Sequence, residues 1–304
     1  MNALEARGLT KQYRKQLALD RLSFELPAGR ISALVGPNGA GKTTLLHIAV
    51  GLLQPTSGSL RVLGDVPAID EDMLSRVGFV AQDTPLYRNF SGEDLLTYCA
   101  HMNRDFDVAF ARDRLRSLDI PLDRKSGTLS GGQRAQVALA LALGKRPEIL
   151  LLDEPLAALD PLARREFLGA LMEGVAEDEV TVLLSSHLIT DLERVCDHLM
   201  ILSNGRIQLA GDIEDLVNEH SLLVGPRSTG AKRRAIAGVE SIVEESVAGR
   251  QATLVVRVDG QLLDPKWEAY EVGLEDLVLA YLGRKHNAPG ADEPVRAISA
   301  GGSR

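Results

Sequence analysis

The sequence predicts an α/β fold with a mixed sheet core, an inserted helical subdomain and a small α+β C-terminal extension. Three observations carry that prediction. Short apolar runs typical of buried strands alternate with helical segments through about residue 220. Two consecutive helical stretches interrupt the alternation between about 83 and 128. Beyond 221 the pattern turns to short strands with polar turns, closed by one amphipathic helix. At 304 residues the chain has room for one large unit, 1–220, and one small one, 221–285. A net charge of −8 argues against a general nucleic-acid surface, which needs a basic footprint. Cys99 and Cys196 are too few for a zinc cluster or a disulfide scaffold and read as reduced thiols. No apolar run reaches the ~18–20 residues that span a bilayer, and the first residues do not read as a signal peptide. Any membrane role is therefore expected to come through a partner.

Leu4–Leu9 and Leu17–Leu26 read as strands, the second closed by Pro27-Ala28-Gly29. Tyr13 between them reads either as half-buried packing or as a ring that stacks on a base. Ile31–Val35 is an apolar strand that runs directly into Gly36-Pro37-Asn38-Gly39-Ala40-Gly41-Lys42-Thr43-Thr44. The G-x-x-x-x-G-K-[ST] spacing turns successive backbone amides toward one anion. A helix expected over Leu45–Leu53 directs its positive end to the same point. Lys42 is then placed to reach the outer phosphates of a nucleotide, and the Thr43 hydroxyl to ligate Mg²⁺.

Ser59–Leu63 is the next strand, after the Pro55–Gly58 turn, and Val77–Ala81 is a β-rich run that delivers Gln82. Ser91 caps a helix that carries Glu93 and Asp94 in its first turn and runs to about Met102. A second helix, about Asp107–Leu118, stops before Pro121. Leu129-Ser130-Gly131-Gly132-Gln133 opens a further helix with Ser130 as N-cap, and its free glycine amides make a second anion site of the same kind. Glu148–Leu152 is an apolar strand suited to the middle of a parallel sheet. It ends in Asp153-Glu154, two carboxylates that repel each other unless a cation is present. Mg²⁺ would supply that charge, which leaves Asp153 to the metal and Glu154 to accept a proton from water. Pro161, after Asp160, starts a helix to about Val175. Val180–Ser185 is a strand that ends at Ser186-His187. Four strands thus end at the phosphate loop, at Gln82, at Asp153-Glu154 and at His187. Ligands of open α/β sheets bind along that carboxyl edge, so all four converge on one nucleotide.

With these residues assembled, the sequence resembles the nucleotide-binding subunit of ATP-binding-cassette (ABC) transporters over about 1–220. The resemblance implies a P-loop NTPase cassette that binds and hydrolyses ATP with Mg²⁺. It makes Tyr13 the adenine-stacking aromatic, and Gly36, Asn38, Gly39, Gly41, Lys42, Thr43 and Thr44 the Walker A loop. Gln82 matches the Q-loop residue that senses Mg²⁺ and the transmembrane partner. Ser130, Gly131, Gly132 and Gln133 match the signature loop, Asp153 the Walker B aspartate, and Glu154 the catalytic glutamate. Asp160 falls in the D-loop and His187 in the switch position. The resemblance also implies a head-to-tail dimer, either a homodimer or a pair with a second cassette, on a separate permease at the cytoplasmic face of the membrane. Leu156-Ala157-Ala158 and the arginine-free helix Ala135–Leu143 depart from the commonest pattern without touching a catalytic group.

In the extension, Ser221–Val224, Val239–Val247 and Thr253–Val258 read as strands. Leu274, Leu277, Val278, Tyr281 and Leu282 share one helical face. The string Gly273–Gly283 resembles the ending of drug and antibiotic exporter subunits and favours export. Residues 286–304 read as a disordered tail, and Lys232-Arg233-Arg234 as a solvated turn. The competing reading is a soluble cassette ATPase that regulates a ribosome, nucleic acid or protein target. A single cassette, the short distance between the two phosphate-site motifs, the absence of Cys pairs and the acidic charge weigh against it.

Overall fold

The computed structural model describes residues 1–68, 70–176, 179–227, 236–260, 262 and 264–283. The basic triplet 232–234 and the tail 286–304 lie outside them. The chain opens with a long hairpin, β1 (Asn2–Tyr13) and β2 (Gln16–Pro27), followed by the buried strand β3 (Ile31–Val35). Helix α1 (Lys42–Ala49) starts inside the glycine-rich loop, three residues before its expected start. Gly41 is its N-cap, so the first helical residue is the lysine itself. Then come β4 (Ser57–Val62), α2 (Glu71–Arg76) and β5 (Val77–Val80). β1 pairs antiparallel with both β2 and β4, making a three-stranded sheet.

Helices α3 (Gly92–Met102) and α4 (Val108–Ser117) are capped by Ser91 and Asp107. α5 (Gly131–Leu143) begins with a reciprocal capping box between Ser130 and Gln133. The core of this helical region takes in Leu129 and, from α5, Val137, Ala140 and Leu141. It therefore reaches past the 83–128 stretch that the interrupted alternation suggested. β6 (Ile149–Leu152), α6 (Pro161–Val175), β7 (Thr181–Ser186), β8 (His198–Ser203) and β9 (Arg206–Asp212) complete the main body. Its six-stranded sheet has the order β5-β6-β7-β3-β8-β9, parallel except for β9.

The extension holds α7 (Ile213–Asn218), β10 (His220–Pro226), β11 (Val239–Ala248), β12 (Gln251–Val258), β13 (Glu268–Tyr270) and α8 (Leu274–Gly283). Its antiparallel sheet runs β11-β12-β10-β13. Val255, Leu277, Val278 and Tyr281 lie in the same apolar cluster as Val182, Leu184 and Ile201 of the large sheet. The extension thus shares its main core with the body. His220 ties the two ends of the extension together. Its Nδ1 donates to the Leu216 carbonyl at 2.6 Å, which leaves Nε2 to accept from the Tyr281 hydroxyl at 2.9 Å. Among the described residues, no helix is long and apolar enough to cross a membrane.

Candidate nucleotide site

The register of the large sheet places its functional ends side by side. Val80 pairs with Leu152, Leu152 with Leu184, and Val35 with Ser186. The residues that follow these strands, Gln82, Asp153-Glu154, His187 and Gly36, therefore share one edge. A cavity of about 410 Å³ opens there, lined by Tyr13, Asn38, Gly39, Gly41, Lys42, Thr43, Thr44, Gln82 and Glu154, with Gln16, Ala18 and Ala40. Two loop glycines are irreplaceable on steric grounds. A Cβ on Gly36 would collide with the Leu202 carbonyl oxygen, and Gly41 combines a φ of 110° with the Ala18 carbonyl 2.5 Å from its would-be Cβ. The turn that aims the amides depends on both.

Lys42 is buried, and its ammonium donates to the carbonyls of Gly36 at 2.5 Å and Pro37 at 3.2 Å. It also stands 3.1 Å from Glu154 Oε1. That oxygen makes no directed hydrogen bond, so the contact is one of charge alone. The other Glu154 oxygen, Oε2, is 2.7 Å from His187 Nδ1. Glu154 itself has a φ of 47°, a costly conformation for a residue with a side chain. Ser185, absent from the sequence reading, helps hold it there. The Ser185 hydroxyl accepts from the Glu154 amide and donates to Asp153 Oδ1, both at 2.9 Å. The available signal is the serine pair Ser185-Ser186 that closes the apolar run Val182–Leu184 of β7.

Tyr13 lines the cavity with its ring exposed, and the Lys11 ammonium is 5.2 Å from the ring centre. The ring is held against a cation and remains accessible at the cavity wall. Asp153 is buried behind Glu154 and does not line the cavity, and neither does Gly36, whose carbonyl faces Lys42. Ser130, Gly131, Gly132, Gln133 and Asp160 also stand apart from it. Ser130 and Asp160 cap α5 and α6. Asp160 Oδ1 accepts from the amides of Leu162 and Ala163, each at 3.0 Å.

Thr43, Gln82 and Asp153 offer a hydroxyl, an amide oxygen and a carboxylate, the hard oxygen donors that suit Mg²⁺. Among the described residues, no cluster of three His, Cys, Asp or Glu side chains forms a metal cage.

The pattern of the ABC transporter family matches residues 19–157. The molybdenum import ATP-binding protein ModC of Rhodopseudomonas palustris is 35% identical over 283 residues, covering 87% of this chain and 72% of that protein. This chain belongs to the ABC transporter family. It is an ATP-binding subunit and an ATPase. The Nod factor export ATP-binding protein I of Sinorhizobium fredii is also 35% identical, over 228 residues, covering 71% of this chain and 65% of its own length. Similar proteins thus include an importer and an exporter. A dimeric ATP-binding cassette solved in a post-hydrolysis state with ADP and Pi superposes with a TM-score of 0.61 at 25% identity, covering 69% of this chain and 98% of that one.

Proposed function

We propose that this ABC ATPase drives a separate membrane permease as a head-to-tail pair of cassettes, in the direction of export. The observation that carries the paired arrangement is the separation of two anion-binding helix starts. Lys42 and Glu154 line the cavity, whereas Ser130–Gln133 caps another helix away from it. A second copy, related by a two-fold axis, brings its Ser130 loop over this chain's nucleotide and completes both sites at once. Asp160 lies near the same face, at the start of α6.

In that arrangement the amides of Gly39–Thr44 hold the phosphates and Tyr13 the base. Glu154 takes the proton of the attacking water, oriented by His187 on its second oxygen. Lys42 turns its ammonium to the charge that develops on the transferred phosphoryl group. Thr43, Gln82 and Asp153 would hold Mg²⁺, which neutralises phosphate charge when bound. Coupling runs along β5. Its exit places Ala81 in an apolar groove of about 560 Å³ and the next residue, Gln82, in the nucleotide cavity. The groove lies between the sheet and the helical region, with Leu52 and Leu74 exposed on one bank. A permease segment seated there touches the strand that ends at the nucleotide.

Export is favoured by the C-terminal string Gly273–Gly283. Peripheral attachment at the cytoplasmic face follows from the permease. Affinity purification of the chain from detergent-solubilised native membranes tests the reading. A stoichiometric multi-span partner is the expected result, and transport assays in vesicles of that complex give the direction. Recovery with ribosomes, nucleic acid or no partner would replace it with the soluble regulatory ATPase.

A further inference from the structure

The groove beside β5 contains one lysine ammonium with no counter-charge among the described residues. Lys145, just beyond the end of α5, donates its ammonium to the Val77 carbonyl at 2.9 Å. Among the described residues it makes no ion pair, and no carboxylate lines the groove. Burial pulls the lysine below its ordinary pKa. The neighbouring titratable group is the Cys99 thiol, which burial pushes above its usual value, so at neutral pH it is uncharged. His47, the other ionisable group in the lining, is the edge partner of the Phe79 ring, with centroids 5.9 Å apart. The rest of the wall is apolar apart from Thr84.

An apolar segment seated in this groove excludes the water that hydrates the ammonium. A carbonyl satisfies one N–H but does not neutralise the charge, and an unpaired buried charge is expensive. A carboxylate on the incoming segment removes that penalty and rejects segments that lack one. We propose that the segment of the membrane partner that docks in this groove is apolar with one carboxylate, and that this carboxylate ion-pairs with Lys145. The proposal rests on the permease reading above and adds the chemistry by which the partner is selected. Val77, which holds Lys145, begins the strand whose other end delivers Gln82. The ion pair therefore forms on the element that reaches the nucleotide.

The test is zero-length carbodiimide cross-linking of the complex purified from native membranes, followed by peptide mass spectrometry. The expected product is an amide between Lys145 Nζ and an Asp or Glu side chain of the multi-span partner. Co-purified partner should fall by about tenfold for Lys145→Met and be largely kept for Lys145→Arg. Lys145→Glu should lose it, and changing the cross-linked acid of the partner to lysine should restore it. A thermal melt identifies any variant that fails to fold; in that case the cross-link on the unaltered chain decides. A partner that co-purifies equally with folded Lys145→Met, or that cross-links only through other lysines, overturns the inference and leaves the transporter reading standing. Absence of any multi-span partner for the unaltered chain overturns both.

Discussion

Replacing Ser185 with alanine removes one fully buried hydroxyl that serves two neighbours in the catalytic edge. Its Oγ accepts from the Glu154 amide and donates to Asp153 Oδ1, each at 2.9 Å. A hydrogen bond to a carboxylate is worth ~1.5–3 kcal/mol, and a buried amide left unpaired costs ~1–3 kcal/mol. The alanine variant should therefore lose about 2.5–6 kcal/mol of stability. The functional loss follows from the same atom. Glu154 is held at a φ of 47°, a conformation that costs ~1–3 kcal/mol and persists only while its surroundings fix it. Without the Ser185 bond the Glu154 carboxylate loses its orientation, and turnover at saturating ATP should fall by about tenfold or more. Urea denaturation reads the first effect and phosphate release the second. A variant within ~0.5 kcal/mol of the parent and with unchanged turnover would refute the reasoning that Ser185 holds this edge.

Three further outcomes are expected. Arg164 links the loops that carry Glu154 and His187, donating to the Leu156 carbonyl at 3.3 Å and to Asp191 at 3.5 Å. Arg164→Ala and Asp191→Ala should each lower kcat with little change in KM, and a double-mutant cycle in ATPase assays should show them to be non-additive. Burial, with the Arg30 charge adding to it, pulls the His198 pKa from 6.5 down to about 4. The unfolded chain then binds a proton that the folded one refuses. Stability should fall as pH drops from 6.5 toward 4, by up to about 3 kcal/mol. His220 is depressed too, so the difference in urea midpoints between the parent and His198→Leu isolates the His198 share. Tyr281→Phe leaves the buried Nε2 of His220 without its donor and should cost ~1–3 kcal/mol in the same assay.

What the sequence made legible was local chemistry. The phosphate loop and the caps Ser91 and Ser130 depend on residues within a few positions of one another, and the structure forms both caps; it adds Asp107 and Asp160 as caps of α4 and α6. Strands β3 and β6 are largely or wholly apolar buried runs and β7 is a buried run that closes on two serines, and their ends could be read in order. Other features depend on separations that no local pattern encodes. The Ser185 hydroxyl meets residues 31 and 32 positions earlier in the chain. The core shared by α8 and β7 joins segments about a hundred residues apart. β8 is six consecutive buried residues with no alternation to mark it, and antiparallel β9 is set by its pairing with β8. The start of α1 shifted because the glycine that bends the loop is also the cap of the helix.

The most direct test of paired cassettes is the mass of Glu154→Gln in solution, with and without Mg-ATP, by sedimentation equilibrium. The amide keeps the shape of Glu154 but removes the charge that Lys42 faces at 3.1 Å and the base that takes the water proton. The account predicts ATP binding with turnover lowered by ~10²–10⁴-fold. It also predicts a shift from the 32.8 kDa monomer to twice that mass only when Mg-ATP is present. A monomer at saturating Mg-ATP, or turnover near that of the parent, would contradict it.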